Sequence, residues 1–172
     1  MINLRKIAPM ALGNARRIGN KVGAVASGLG LAAILGGCSG TPPTDLGVDG
    51  DRLKPCPDKP NCVNSFAAAD DTDHHIAPLA VKQPQEDWQA LQALVDKTDN
   101  ATIVSQNDGY MRVEYKSSLF GFVDDVEFLL VPDAQQIHVR SASRMGYSDL
   151  GVNRERIDEI RAALGNYSVS PD

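Results

Sequence analysis

Apolar side chains recur with two different periods along the second half of the chain. Trp88, Leu91, Leu94 and Val95 return at helical spacing, and Pro84 stands just before them. Proline has a fixed φ and no N–H to leave unpaired, so it suits a helix entrance, and a first helix is predicted from Pro84 or Gln85 to Lys97. Ala101 to Gln106 reads as a strand, and Asn107-Asp108-Gly109 as a hairpin turn, because Asp-Gly accepts the positive φ angles of a tight turn. From Tyr110 to Lys116 the period is two: Met111, Val113 and Tyr115 alternate with Arg112, Glu114 and Lys116. A third strand is expected over about Asp124–Val131, turning at Pro132-Asp133. A fourth is expected over Gln136–Ala142, with Ile137 and Val139 opposite in facing to His138 and Arg140. A second helix is predicted over about Asn153–Leu164. Asn153 is its expected N-cap, Ile157, Ile160 and Leu164 its apolar stripe, and Gly165 its stop.

The predicted order is α-β-β-β-β-α. Short links between successive strands imply an antiparallel meander, which can bury one face and wet the other. The expected fold is therefore α+β: a four-stranded antiparallel sheet with two helices packed on one face. An irregular Cys-containing segment precedes it, since Pro55, Pro57, Pro60, Pro78 and Pro84 forbid regular helix there.

The first stretch of the chain differs in kind. Arg5, Lys6, Arg16, Arg17 and Lys21 are basic, and no Asp or Glu precedes Asp45. The apolar run Val22–Leu35 is shorter than the roughly 20 residues of a transmembrane helix. A basic region followed by a short apolar run and small residues reads as a signal peptide. Leu35-Gly36-Gly37-Cys38 resembles the lipobox cleaved before a lipidated cysteine, so Cys38 is the expected lipidation site. The paired Arg16-Arg17 with Lys21 leaves a twin-arginine route open beside the general one, and Ser39 is compatible with outer-membrane sorting. The expected division is a lipoprotein signal peptide over 1–37, a flexible tether over 38–52, one domain over 53–165 and a tail over 166–172. The expected location is exported and membrane-anchored, at the outer membrane facing the periplasm.

Loss of the leader changes the charge. The whole chain has 17 basic and 22 acidic side chains; without the five basic residues of the leader it has 12 against 22. Nucleic acid and anionic lipid headgroups both need a positive footprint, so neither is expected as a partner of the acidic mature chain. Cys56 and Cys62 form an even pair in an oxidising compartment, so a disulfide is expected between them, with a metal site, which would need more ligands, as the rival reading.

Candidate chemistry gathers in two places. Alternation puts Arg112, Glu114, Lys116, Asp125, Glu127, His138 and Arg140 on one sheet face. The Pro132 turn sets Glu127 near Arg140 and Asp125 near Ala142. Cross-strand ion pairing and a polar binding surface both fit this pattern. The second place is the stretch from Arg140 to Arg154, with Ser141, Ser143, Arg144, Asp149 and Asn153, which runs into a helix start. Arginine forks and free helix N–H groups suit a small anionic ligand, and an internal ion-pair loop suits the same residues. His74 and His75 follow Asp70, Asp71 and Asp73, a weak metal pattern, and no metal or other cofactor is assigned. A Ser/His/Asp set can be drawn from Ser141 or Ser143, His138 and Asp125, but no G-x-S-x-G elbow, P-loop, H-E-x-x-H or C-x-x-C is present.

Three motifs carry a family resemblance. They are Cys56-Pro57-Asp58-Lys59-Pro60-Asn61-Cys62-Val63-Asn64-Ser65, Phe122-Val123-Asp124-Asp125-Val126-Glu127-Phe128, and Arg140-Ser141-Ala142-Ser143-Arg144 with Ser148-Asp149-Leu150-Gly151-Val152-Asn153-Arg154. Together they resemble the bacterial and plastid family called domain of unknown function 1499, over about Leu53–Leu164. The resemblance implies a compact domain in exported or membrane-attached proteins and no established activity. It groups Asp124, Asp125, Glu127, Arg140, Ser141, Ser143, Arg144, Asp149, Asn153 and Arg154 as one candidate site. The expected function is a lipid-anchored binding or interaction module for a small anionic ligand or an envelope component. The alternative is an envelope hydrolase using Asp125, Glu127, His138 and Ser141.

Overall fold

The computed structural model describes residues 39–167; the expected leader and the Cys38 lipidation site lie outside the described residues. Four short strands come first: β1 (Val48–Asp49), β2 (Arg52–Leu53), β3 (Cys62–Asn64) and β4 (Leu79–Ala80). Helix α1 (Pro84–Asp96) follows, then β5 (Ala101–Asn107), β6 (Tyr110–Lys116), β7 (Val123–Val131), β8 (Gln136–Ser143) and helix α2 (Val152–Tyr167). The class is α+β, as the sequence implied, with two corrections. The main sheet has six strands rather than four, in the order β3-β8-β7-β6-β5 with β4 also on β8. Four short strands also stand ahead of the first helix. All the sheet pairings are antiparallel.

Both extra strands belong to the Pro-rich segment. β3 pairs Cys62 with Ala142 and Asn64 with Arg140, while β4 pairs Leu79 with Ile137, so together they cover the outer edge of β8. Strands of three and two residues show no period-two pattern, so local sequence does not reveal them. They form because a buried edge must find partners for its N–H and C=O groups. The Cys56–Cys62 disulfide, with Cα atoms 5.7 Å apart, closes the turn that leads into β3.

The meander follows the predicted pattern. Gly109, at φ 89°, makes the β5–β6 turn, and a short 3-10 turn at Pro132–Ala134 joins β7 to β8. The register sets Glu127 opposite Arg140 and Asp125 opposite Ala142. Met111, Val113, Val126, Phe128, Ile137 and Val139 form one apolar face, and Trp88, Leu91 and Val95 of α1 with Ile157, Ile160 and Leu164 of α2 close over it. Burying a side chain of this size contributes about 1.5–3 kcal/mol, which makes this layer the main source of stability.

Helix α1 begins at Pro84 as expected, and the start of α2 departs from expectation in detail. At α1, Asp87 reaches back to accept the N–H groups of Lys82 and Gln83 at 2.8 and 3.1 Å. At α2, Asn153 lies inside the helix and is fully buried, and Asp149 accepts the N–H groups of Gly151 and Asn153 instead. The helix also continues through the predicted stop at Gly165. The β1–β2 hairpin falls largely within the expected 38–52 tether, and Gly47 N–H donates to Glu127 Oε1 at 2.8 Å, so this stretch lies against the sheet.

Candidate functional site

Strand parity divides the candidate residues. Neighbours on a strand point to opposite faces, so Asp125, Glu127, Arg140 and His138 look away from the helices, while Asp124, Val126, Ser141 and Ser143 look toward them. The grouping expected from the family motifs is therefore two clusters with the sheet between them.

On the outer face the centre is Asp125, which is nearly inaccessible. Its Oδ2 accepts Arg144 Nε at 2.7 Å and its Oδ1 accepts Arg144 Nη2 at 2.9 Å, a bidentate fork. Arg112 donates to the same Oδ1 from Nη2 at 2.8 Å and from Nε at 3.2 Å. Arg144 Nη2 also donates to Glu114 Oε1. The Asp125 fork, followed by the Glu114 bond, holds the Arg144 guanidinium charged, with its pKa above the ordinary arginine value despite burial. Beside this group Glu127, fully buried, accepts Tyr110 O–H at 2.9 Å, Gly47 N–H at 2.8 Å and Arg140 Nη1 at 3.3 Å. Burial first, then the Glu127 charge and hydrogen bond, push the Tyr110 hydroxyl far above its usual range. Three carboxylates thus meet three guanidinium groups, and only Arg140 Nε among these side-chain atoms is buried without a partner.

The helix-side cluster is built around Asn153. Its Nδ2 donates to Asp149 Oδ2 at 2.8 Å, Ser143 Oγ at 3.0 Å and the Asn61 carbonyl at 3.1 Å, and its Oδ1 accepts Ser141 O–H at 2.6 Å. Arg156 adds Nη1 donations to Asn153 Oδ1 at 2.7 Å and Ser141 Oγ at 3.0 Å. Its Nη2 donates to Asp124 Oδ2 at 2.5 Å, and its guanidinium lies 4.8 Å above the Tyr115 ring. Burial alone would raise the Asp149 carboxyl, but the Asn153 and Gly151 N–H groups outweigh it and keep the pKa below the ordinary value. This cluster ties β3, β8 and the start of α2 together.

Arg154 joins neither cluster. It donates to the His75 carbonyl at 2.8 Å and to the Thr72 and Asp73 carbonyls at 3.3 Å, fastening the long β3–β4 connection to α2. The Cys segment, the acidic strand and the Arg loop do meet: Cys62 stands beside Ala142, Ala142 beside Asp125, and Ser143 N–H donates to the Asn61 carbonyl at 3.0 Å.

The Ser/His/Asp set does not assemble. Ser141 faces the helices and spends its hydroxyl on Asn153, whereas His138 faces the other way. The serine that reaches His138 is Ser65, whose Oγ lies 3.0 Å from His138 Nδ1 and accepts Val139 N–H at 2.9 Å. Phe66 stacks on the same ring at 3.9 Å between centroids. Burial, then the Arg52 charge, lowers the His138 pKa below its ordinary value. Ser65 is itself buried, so the pair braces β3 and its continuation against β8. Among the described residues, no group of three or more His, Cys, Asp or Glu side chains is placed to hold a metal ion. His74 instead bonds Asp71, with Nδ1 at 2.9 Å from Oδ2.

Sequence reasoning left out Arg156, Tyr110 and Gly47. Tyr110 and Gly47 pair with Glu127 across 17 and 80 residues, and no local pattern reports such distances. Arg156 had a signal: it falls three residues after Asn153, on the same side of the helix.

A six-stranded antiparallel sheet, two helices on one face and a disulfide-closed edge thus define a small α+β domain with an ion-paired outer face. The chain matches the family described as "Protein of unknown function (DUF1499)" over residues 52–164 and belongs to that family. No curated protein and no solved structure matches it.

Proposed function

We propose that the chain is an exported lipoprotein, acylated on Cys38 and held at the outer membrane facing the periplasm, whose domain serves as an interaction module for an envelope component. Closure of the outer-face cluster carries the second half of this reading. Asp125 is held by two arginines and Glu127 by three donors, so a small anion could reach Arg144 only by displacing carboxylates already bonded to it. Catalysis needs a base and nucleophile with free access to a reacting atom, and these side chains are committed to one another. The export half rests on the basic leader, the short apolar run and Leu35-Gly36-Gly37-Cys38.

The test is the intact mass and membrane partition of the full chain made in a bacterium that matures lipoproteins. The expected product lacks residues 1–37, carries acyl groups on Cys38 and stays with the membrane, while Cys38→Ala leaves it. A wild-type chain that keeps its leader, or emerges soluble and unacylated, would refute the reading.

A further inference from the structure

Two loops leave the sheet at the same end. The pairs Lys116↔Val123 and Asp124↔Ser143 put the β6–β7 turn (117–122) and the β8–α2 connection (144–151) side by side, and Arg144 N–H donates to the Val123 carbonyl at 3.2 Å. These loops hold Leu119, Phe120, Phe122, Met145, Tyr147 and Leu150 in water, exposed by 81, 64, 42, 46, 71 and 94%. Apolar residues exposed singly need no explanation, but six on two adjoining loops do. Leu150 adds an independent sign. Its φ of 57° lies in the left-handed region, which leucine rarely occupies, and the strained backbone projects the side chain outward.

The described chain also begins at this end. Ser39 is the residue bonded to Cys38, and Gly40, at φ 67°, presses on the Arg loop. A Cβ on Gly40 would meet Arg144 Cβ at 2.9 Å and Met145 Cγ at 3.1 Å. Consecutive Cα atoms are about 3.8 Å apart, so an acyl group on Cys38 is attached only two residues along the chain from Gly40.

We propose that this end of the domain is a membrane-docking face. The tips of the two loops enter the boundary between headgroups and acyl chains of the leaflet that holds the lipid. This rests on the acylation of Cys38. An anchor so close to the loops draws them against the bilayer, which is why lipid, not a protein partner, is the occupant. The mature chain has 12 basic against 22 acidic groups, so burial of apolar side chains drives the contact and salt leaves it unchanged.

The test uses the full chain, purified from membranes and reconstituted in phosphatidylethanolamine and phosphatidylglycerol vesicles with brominated acyl chains. An environment-sensitive fluorophore is placed at Leu119→Cys or, at the opposite end of the sheet, at Asp133→Cys, both exposed sites. The expected result is quenching several-fold stronger at 119 than at 133, not abolished by 0.5 M salt and brought down to the level at 133 by Phe120→Asp. Equal quenching at both positions, or a response that salt abolishes, overturns docking. If intact mass reveals no acyl group, the Cys38 reading has failed on its own. Docking is then judged by the same ratio after mixing the chain directly with the vesicles.

Discussion

Replacing Arg144 by leucine tests whether the outer-face cluster is structural. The substitution keeps an apolar stem but removes the fork on Asp125 and the bond to Glu114. Asp125 is left almost inaccessible with Arg112 as its remaining charged partner. Removing one member of a buried pair destabilises by about 3–5 kcal/mol because a charge is stranded, and the retained Arg112 contact places this case near 3 kcal/mol. At about 3–5 °C per kcal/mol for a domain of this size, the melting temperature should fall by roughly 10 °C. The assay is thermal and urea unfolding followed by circular dichroism, where an unchanged m-value would confine the effect to stability. Adding Asp125→Asn should restore part of the loss, since the stranded charge goes with it, and the cycle should give a coupling of about 1–3 kcal/mol. A loss below about 1 kcal/mol, the range of solvated surface pairs, would refute the reasoning and leave Arg144 available to a ligand.

Other outcomes follow from the same geometry. The Cys56→Ser/Cys62→Ser double variant should lose about 2 kcal/mol, the loop-closure contribution of a short loop, measured by urea unfolding. Asp149→Ala should lose about 1–2 kcal/mol because two N–H groups at the α2 start lose their acceptor. The folded pKa of Asp149 is depressed, so its share of stability is present above the unfolded value of 3.8 and fades as pH falls toward the folded one. The gap between wild type and Asp149→Asn should therefore narrow below about pH 4. His138 titrates with the opposite chemistry: its folded pKa is lowered by burial, so the unfolded chain takes up the proton first as pH falls below 6.5. Wild type should lose stability between pH 7.5 and 5.5 relative to His138→Gln, and a gap independent of pH would place the ring in solvent.

Much of this architecture can be read from residue order. The alternation in Tyr110–Lys116 and the Pro132 turn are local features, and they were enough to set Glu127 beside Arg140. The Pro-rich segment was opaque because β3 and β4 owe their form to the edge of β8, not to a pattern of their own. Asp124 and Asp125 illustrate a different limit. Adjacent in sequence and alike in chemistry, they read as one site, yet parity sends Asp124 to Arg156 and Asp125 to Arg144 on opposite sheet faces. Asn153 reads as a cap because capping preferences are local, while its burial depends on Ser141 and Ser143 of β8 and on Asn61, 92 residues away at the entrance to β3.

On the proposed reading the charged face is closed on itself and holds the fold rather than a ligand. Its most direct test is the melting temperature of the mature chain with millimolar phosphate, sulfate and small carboxylates at constant ionic strength. A ligand at 100 times its dissociation constant adds about 2.7 kcal/mol, so a specific site would be plain. None of these anions should shift the melting temperature. A rise with one of them that Arg144→Lys abolishes would contradict that reading, and would make the arginine cluster an anion-binding site.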